Sequence, residues 1–190
     1  MPKTVIGRQP ELSTIVDFLE RMSLGPHVLV IDGAAGIGKS TIWLRAVNTA
    51  IDRSWRVMST RPTEAEASFA FAGLSDILET MPKGLPLRLP APQQRALRVA
   101  LLRDEPEGPL PDHHAVSVAL LNVLRMLAED GPVLLAVDDV QWLDPASSIA
   151  LAFAIRRLRD ERIGVLLARR VDSPESMPLG LDRLAPERVD

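Results

Sequence analysis

A glycine-rich octet placed directly behind a short apolar run constrains this chain more than any other feature. His27-Val28-Leu29-Val30-Ile31-Asp32 is rich in β-branched residues and reads as a fully buried parallel strand. It leads into Gly33-Ala34-Ala35-Gly36-Ile37-Gly38-Lys39-Ser40, which fits G-x-x-x-x-G-K-[ST] throughout, and then into a helix expected over about Gly38 to Ile51. The spacing has a physical reason. Glycines let the backbone turn tightly enough to aim successive amide hydrogens inward, and larger side chains would block an anion there. The following helix adds the positive end of its dipole. Lys39 would reach β- and γ-phosphates as a mobile point charge, Ser40 would offer a hydroxyl to Mg²⁺, and Thr41 could touch the α-phosphate. The bland alternative is a Gly/Ala-rich turn that merely caps a helix, and the strand–turn–helix setting argues against it.

Two further apolar runs end in polar residues. Val133–Val137 reads as a buried strand ending in Asp138-Asp139, the Walker B form. The first carboxylate would hold Mg²⁺ through water, and the second would orient or deprotonate an attacking water. Adjacent carboxylates repel each other unless a cation is near, so a metal gives the pair a reason; the alternative is a solvated turn after a core strand. Asp139 is shorter than the glutamate of vigorous ATPases, which predicts slow hydrolysis. Ile163–Ala168 is another strand and ends at Arg169-Arg170, where an arginine could contact a γ-phosphate or simply be solvated.

Helices fill the intervals. They are expected over Pro10–Met22, Ser68–Met81, Pro92–Arg103, Asp112–Glu129 and from Asp144-Pro145 to about Asp160, with a second strand at Arg56–Ser59. Pro82–Pro92 and Pro106–Pro111 read as exposed loops, and the tail as turn-rich with a weak apolar pattern at Leu179, Leu181 and Leu184. Short apolar strands alternating with helices imply an α/β fold, a parallel sheet covered on both faces, with ligands at the carboxyl ends of the strands. Gly33, Asp138-Asp139 and Arg169-Arg170 all fall at such ends.

Composition excludes several other classes. A chain of 190 residues with net charge −3 suits one domain and offers no basic nucleic-acid surface. Cysteine is absent, so neither a disulfide framework nor a thiolate metal site can form. The amino terminus has no signal-like stretch and no run is long enough to span a membrane, so a cytoplasmic location is expected. His113 and His114 lack the helical spacing of a ligand pair and read as surface residues at a helix start; His27 reads as a strand-entry residue. No nucleophile-elbow pattern surrounds Ser40, Ser147 or Ser148. Phe69 and Phe71 read as helix core, and Trp55 and Trp142 as packing residues.

Together the phosphate loop, Val5-Ile6-Gly7-Arg8-Gln9-Pro10-Glu11-Leu12, the stretches Arg61–Glu66 and Phe69–Leu74, and Val133–Pro145 carry a resemblance. The chain resembles the ATPase module of large ATP-binding LuxR-family transcriptional regulators, within the AAA-like, STAND-type P-loop NTPases. Asp-Asp-Val-Gln-Trp-Leu-Asp-Pro is its most particular part. The resemblance implies a three-layer core in which the sensor strand lies beside the Walker A strand, between it and the Walker B strand. It also implies that Gly7 and Arg8 lie near the adenine and that Asp138 and Asp139 take the Walker B roles. Arg170, rather than Arg169, is implied as the sensor. Members of that group continue into a helical lid and a helix-turn-helix region, so the chain would be an amino-terminal fragment lacking the lid.

The leading expectation is therefore a nucleotide-dependent switch that takes ATP and Mg²⁺ and hydrolyses slowly. Its partners would be ATP and ADP, other domains of the same regulator, and DNA only through a region outside these residues; self-association is left open. No membrane partner is expected. ATP over GTP rests on the resemblance, since no Asn-Lys-x-Asp motif appears. The competing class is a P-loop phosphotransferase such as a small-molecule kinase, for which no acceptor-pocket motif is visible. A degenerate scaffold without nucleotide is the third reading, and the intact Lys39 and Asp138 oppose it.

Overall fold

Alternation along the strands decides how the sheet is covered. In the computed structural model, which describes residues 9–82, 84–102, 112–170, 178–181 and 186–189, five strands form one parallel sheet: β1 (His27–Gly33), β2 (Arg56–Thr60), β3 (Val133–Val137), β4 (Ile163–Arg170) and β5 (Glu187–Val189). Their order is β2-β3-β4-β1-β5. Leu29 and Ile31 of β1, Leu134 and Ala136 of β3, and Leu166 and Ala168 of β4 point to one face. There they pack on α1 (Gln9–Met22) and α2 (Lys39–Asp52), chiefly against Phe18, Leu19, Met22, Ile42 and Trp43. Val28 and Val30, Leu135 and Val137, and Val165 and Leu167 point to the other face. This second core is closed by α3 (Ala72–Glu79), α4 (Ala91–Ala100), α5 (His113–Asp130) and α6 (Pro145–Ile155). Three layers result. A buried strand with apolar residues on both sides is what unbroken runs such as Val-Leu-Leu-Ala-Val require.

The strand carrying Asp138 and the strand carrying the phosphate loop are not neighbours. β4 lies between them, in register Val137↔Leu167 on one side and Gly33↔Arg170 on the other. The expected placement of the sensor strand is thus correct, and all three polar strand ends emerge at the same carboxyl edge.

Three helix boundaries, one loop and the tail differ from expectation. Helix α3 begins at Ala72, not Ser68, because Phe71 stands at φ 64° in the left-handed region and its N–H donates to the Asp144 carboxylate at 2.8 Å. Phe69 is consequently 62% exposed and Phe71 only half-buried, so neither is the helix-core residue expected. Helix α4 ends at Ala100, and Leu102 turns at φ 53°. Helix α6 ends at Ile155. Arg157 and Leu158 donate three residues back, to Ala154 and Ile155, which tightens the last turn, and the Glu161 carboxylate then accepts the Arg159 N–H. Pro82–Pro92 is not simply an exposed loop, since a 3₁₀ turn at Leu85–Arg88 buries Leu85 and Leu89. β5 was not foreseen in the tail. Leu181 is fully buried, whereas Leu184 and Pro106–Pro111 fall outside the described residues.

Candidate functional site

Gly36 and Gly38 stand at φ 76° and 101°, a region in which a side chain would be strained, so the loop between β1 and α2 can curl only with glycine at these two places. Gly38 precedes α2 with no side chain capping the helix. The Thr41 and Ile42 amides already donate to the Gly38 carbonyl, at 3.0 and 3.2 Å. Lys39 is buried, and its Nζ donates to the carbonyl of Ala34 at 2.9 Å, folding the ammonium back over the loop that anions would enter.

Across from this loop, the Asp138 N–H donates to the Thr60 carbonyl at 3.1 Å, which holds the end of β3 against β2. Asp138 is 1% exposed. Its carboxylate accepts from Arg61 Nε at 3.3 Å and from the Asp139 N–H at 3.1 Å. Asp139 adopts φ 49°, ψ 51°, a left-handed conformation that aspartate tolerates better than bulky residues do. It opens a 3₁₀ turn, Val140–Trp142, and its Oδ1 accepts from Gln141 Nε2 at 2.9 Å.

Past this turn, Asp144 anchors the whole segment. It caps α6 by accepting the Ser147 N–H at 2.9 Å, and it also accepts the amides of Phe71 and Gly73 at 2.8 and 3.1 Å, while 2% exposed. One buried carboxylate therefore ties α3 to the start of α6, a role beyond the helix start read from Asp144-Pro145.

The carboxyl edge encloses a cleft of about 390 Å³. Ala35, Gly36, Gly38, Lys39 and Ser40 line it from the phosphate loop; Asp139, Gln141 and Trp142 line it from the turn after β3; Arg170 closes it from β4. The structure thus brings Lys39, Ser40, Asp139 and Arg170 together. Asp138, which is buried, and Gly33, Ala34, Ile37 and Thr41 do not line it. Gly7 and Arg8 lie outside the described residues. Another cleft, of about 260 Å³, opens near Ser54–Arg56 and Gly131-Pro132 at the opposite edge and contains none of these groups.

The two arginines separate clearly. Arg169 is buried and forms a two-pronged pair with Asp32, Nε to Oδ1 at 2.7 Å and an Nη to Oδ2 at 3.1 Å. Hydrogen bonding to Asp32 raises its pKa above the ordinary arginine value against the opposing effect of burial. Arg170 is exposed and faces the cleft. Asp32, Arg61 and Gln141 were not singled out from sequence, and Trp142 lines the cleft instead of merely packing. The register Asp32↔Arg169 is the signal for the first pair, visible only once β1 and β4 are known to be neighbours.

A positively charged loop at a helix start, opposed by carboxylates at the end of another strand, can hold a polyphosphate and place a water beside it. None of the curated proteins compared with the chain matches it. Among solved structures it is similar to Cdc6p from Pyrobaculum aerophilum, at TM-score 0.57 and 16% identity over 90% of this chain and 41% of that one. It is also similar to AMPPCP-bound DnaA from Aquifex aeolicus, at 0.51 and 20% over 98% and 47%. A third is the Aeropyrum pernix ORC2 protein in ADPNP-ADP complexes, at 0.50 and 21% over 90% and 42%. The chain spans less than half the length of each, and identities this low establish the fold alone. Residues 4–167 match the family model described as an AAA ATPase domain, and with that match over most of its length the chain belongs to the AAA ATPase domain family.

Proposed function

We propose that this chain is the ATP-binding, slowly hydrolysing switch module of a larger LuxR-family, STAND-type transcriptional regulator, acting in the cytoplasm and reaching DNA only through a region outside these residues. The observation that carries the nucleotide part is the cleft in which Lys39 and Ser40 face Asp139 and Arg170. The regulator part rests on the run Asp138–Pro145 and on the stretches near Arg8 and Arg61. Among the described residues no helix is long and apolar enough to cross a membrane.

The donors suit Mg²⁺. Hard oxygen donors are present in the Ser40 hydroxyl and in the Asp138 carboxylate at the end of β3, which would hold the ion through water, and among the described residues no cluster of three or more His, Cys, Asp or Glu forms a dedicated cage. That is the arrangement in which magnesium binds through one or two protein oxygens plus phosphate oxygens. When bound, it would supply positive charge to offset that of the phosphate oxygens. The protein's own steps follow from its side chains. Lys39 exchanges the Ala34 carbonyl for phosphate oxygens, the loop amides hold the β-phosphate, Asp139 orients a water, and Arg170 meets the γ-phosphate. To act as a switch, ATP and ADP must favour different arrangements of the attached domains, because equal affinity would shift nothing.

ATP labelled at the γ-phosphate separates this function from its rival. Slow release of free labelled phosphate is expected. Transfer of the label to a hydroxyl acceptor would instead assign a small-molecule kinase.

A further inference from the structure

Gln141 sits between two groups of opposite hydrogen-bonding character. Its Oε1 accepts the backbone N–H of Arg170 at 3.1 Å, and its Nε2 donates to Oδ1 of Asp139 at 2.9 Å. A backbone N–H can only donate and an ionised carboxylate can only accept, so the amide satisfies both partners in one orientation alone. Neither glutamate nor lysine at this position could make both bonds.

The elements joined by this amide are not otherwise neighbours in the ladder at that point. Asp139 follows β3, whereas Arg170 is the last residue of β4, paired in register with Gly33 at the entry to the phosphate loop. The last β3–β4 pair is Val137↔Leu167, so beyond it the two chain ends diverge. Gln141 spans the gap. It stands two residues past Asp139 on the 3₁₀ turn that Asp139 itself opens in a left-handed conformation. Val140 is buried and Asp144 is fixed by three amides, so the turn is held at both ends.

We infer that Gln141 is a positioning residue, which sets the Asp139 carboxylate by clamping it to the backbone at the end of β4. This rests on the proposed ATPase function and deepens it. The position of the water-orienting carboxylate then depends on β4, the strand whose terminal arginine faces the cleft, so displacement of Arg170 by a γ-phosphate is transmitted to Asp139 through one side chain. Gln141 is exposed, so water competes for both of its bonds and the clamp contributes little to folding stability. Its effect belongs to turnover.

The test is a kinetic cycle on the full chain, with ATP affinity by calorimetry and phosphate release in single turnover. Gln141→Leu removes both bonds. It should lower the hydrolysis rate about ten-fold or more while leaving ATP Kd within about two-fold and the melting temperature unchanged. In an Asp139→Asn background the same substitution should slow release by less than about two-fold, because the group it positions is already disabled. Gln141→Glu keeps the side-chain length and the acceptor for Arg170 but turns a second carboxylate toward Asp139, and should slow turnover likewise. A Gln141→Leu rate within about two-fold of the parent, or equal slowing with and without Asp139, overturns the clamp. So does a loss of affinity parallel to the loss of rate. A parent without ATP turnover contradicts the proposed function itself, which is a separate and recognisable failure.

Discussion

Removing Arg169 should destabilise the fold far more than removing the Asp32–Arg169 pair altogether. Both side chains are nearly dry, with relative exposures of 10% and 7%, and the contacts at 2.7 and 3.1 Å use both carboxylate oxygens. Two unit charges about 4 Å apart attract by about 4 kcal/mol at an effective dielectric near 20. Arg169→Met removes this attraction and leaves a carboxylate that water cannot reach, for which a cost of about 3–5 kcal/mol is expected. Against a total stability of about 5–15 kcal/mol, that is a large share. Asp32→Leu should cost a similar amount by stranding the guanidinium. The double variant Asp32→Leu/Arg169→Met exchanges the pair for apolar groups and should lie within about 1 kcal/mol of the parent. Urea unfolding followed by circular dichroism at neutral pH measures all four corners of the cycle. Single variants each losing under about 1 kcal/mol, or a double variant equal to their sum, would refute the reasoning.

Other consequences can be checked alongside. Asp144→Ala strands the amides of Phe71 and Gly73 and uncaps α6, so urea unfolding should show a loss of roughly 3–5 kcal/mol. Asp139→Asn should leave ATP affinity near that of the parent and slow phosphate release by about a hundred-fold or more, read in single turnover. Burial acts to raise the pKa of Glu161, but the amides of Arg159 and of Glu161 itself, together with Arg125, outweigh it and hold the carboxyl below its ordinary value of 4.5. A depressed folded-state pKa stabilises above the unfolded value and is lost as pH falls through the folded one. Parent stability should therefore fall below pH 4.5 more steeply than that of Glu161→Gln, in thermal melts across the acid range.

The parts of the fold legible in the sequence were those written in local pattern. His27–Gly33 and Val133–Val137 are unbroken apolar runs bounded by glycine or acid, and both emerged as strands. Asp112 and Asp144-Pro145 marked helix starts, and the structure has both aspartate side chains accepting helix amides. What escaped was set by contacts between distant segments. Phe71 leaves the helical region because Asp144, 73 residues later, takes its amide. β5 is three residues long and exists only against β1, with too little periodicity to be read. The site was legible to the same extent. Lys39, Ser40 and Asp139 follow from motif spacing, and the preference for Arg170 over Arg169 rested on resemblance alone; its physical reason, that Asp32 lies opposite Arg169, emerges only from the strand register. Gln141 stood inside the Asp138–Pro145 run but with no role of its own, since its bonds join two strand ends that adjoin only in three dimensions.

The most direct measurement is titration calorimetry of ATP with Mg²⁺ into the parent and into Lys39→Ala. Lys39 already rests its ammonium on the loop carbonyl of Ala34, so its loss removes the positive charge poised over the loop without touching the core. The parent should bind one nucleotide, and the variant should bind on the order of 100-fold more weakly, the equivalent of one or two charge-assisted hydrogen bonds. Equal affinity in the two proteins would mean that nucleotide, if held at all, is not held by this loop.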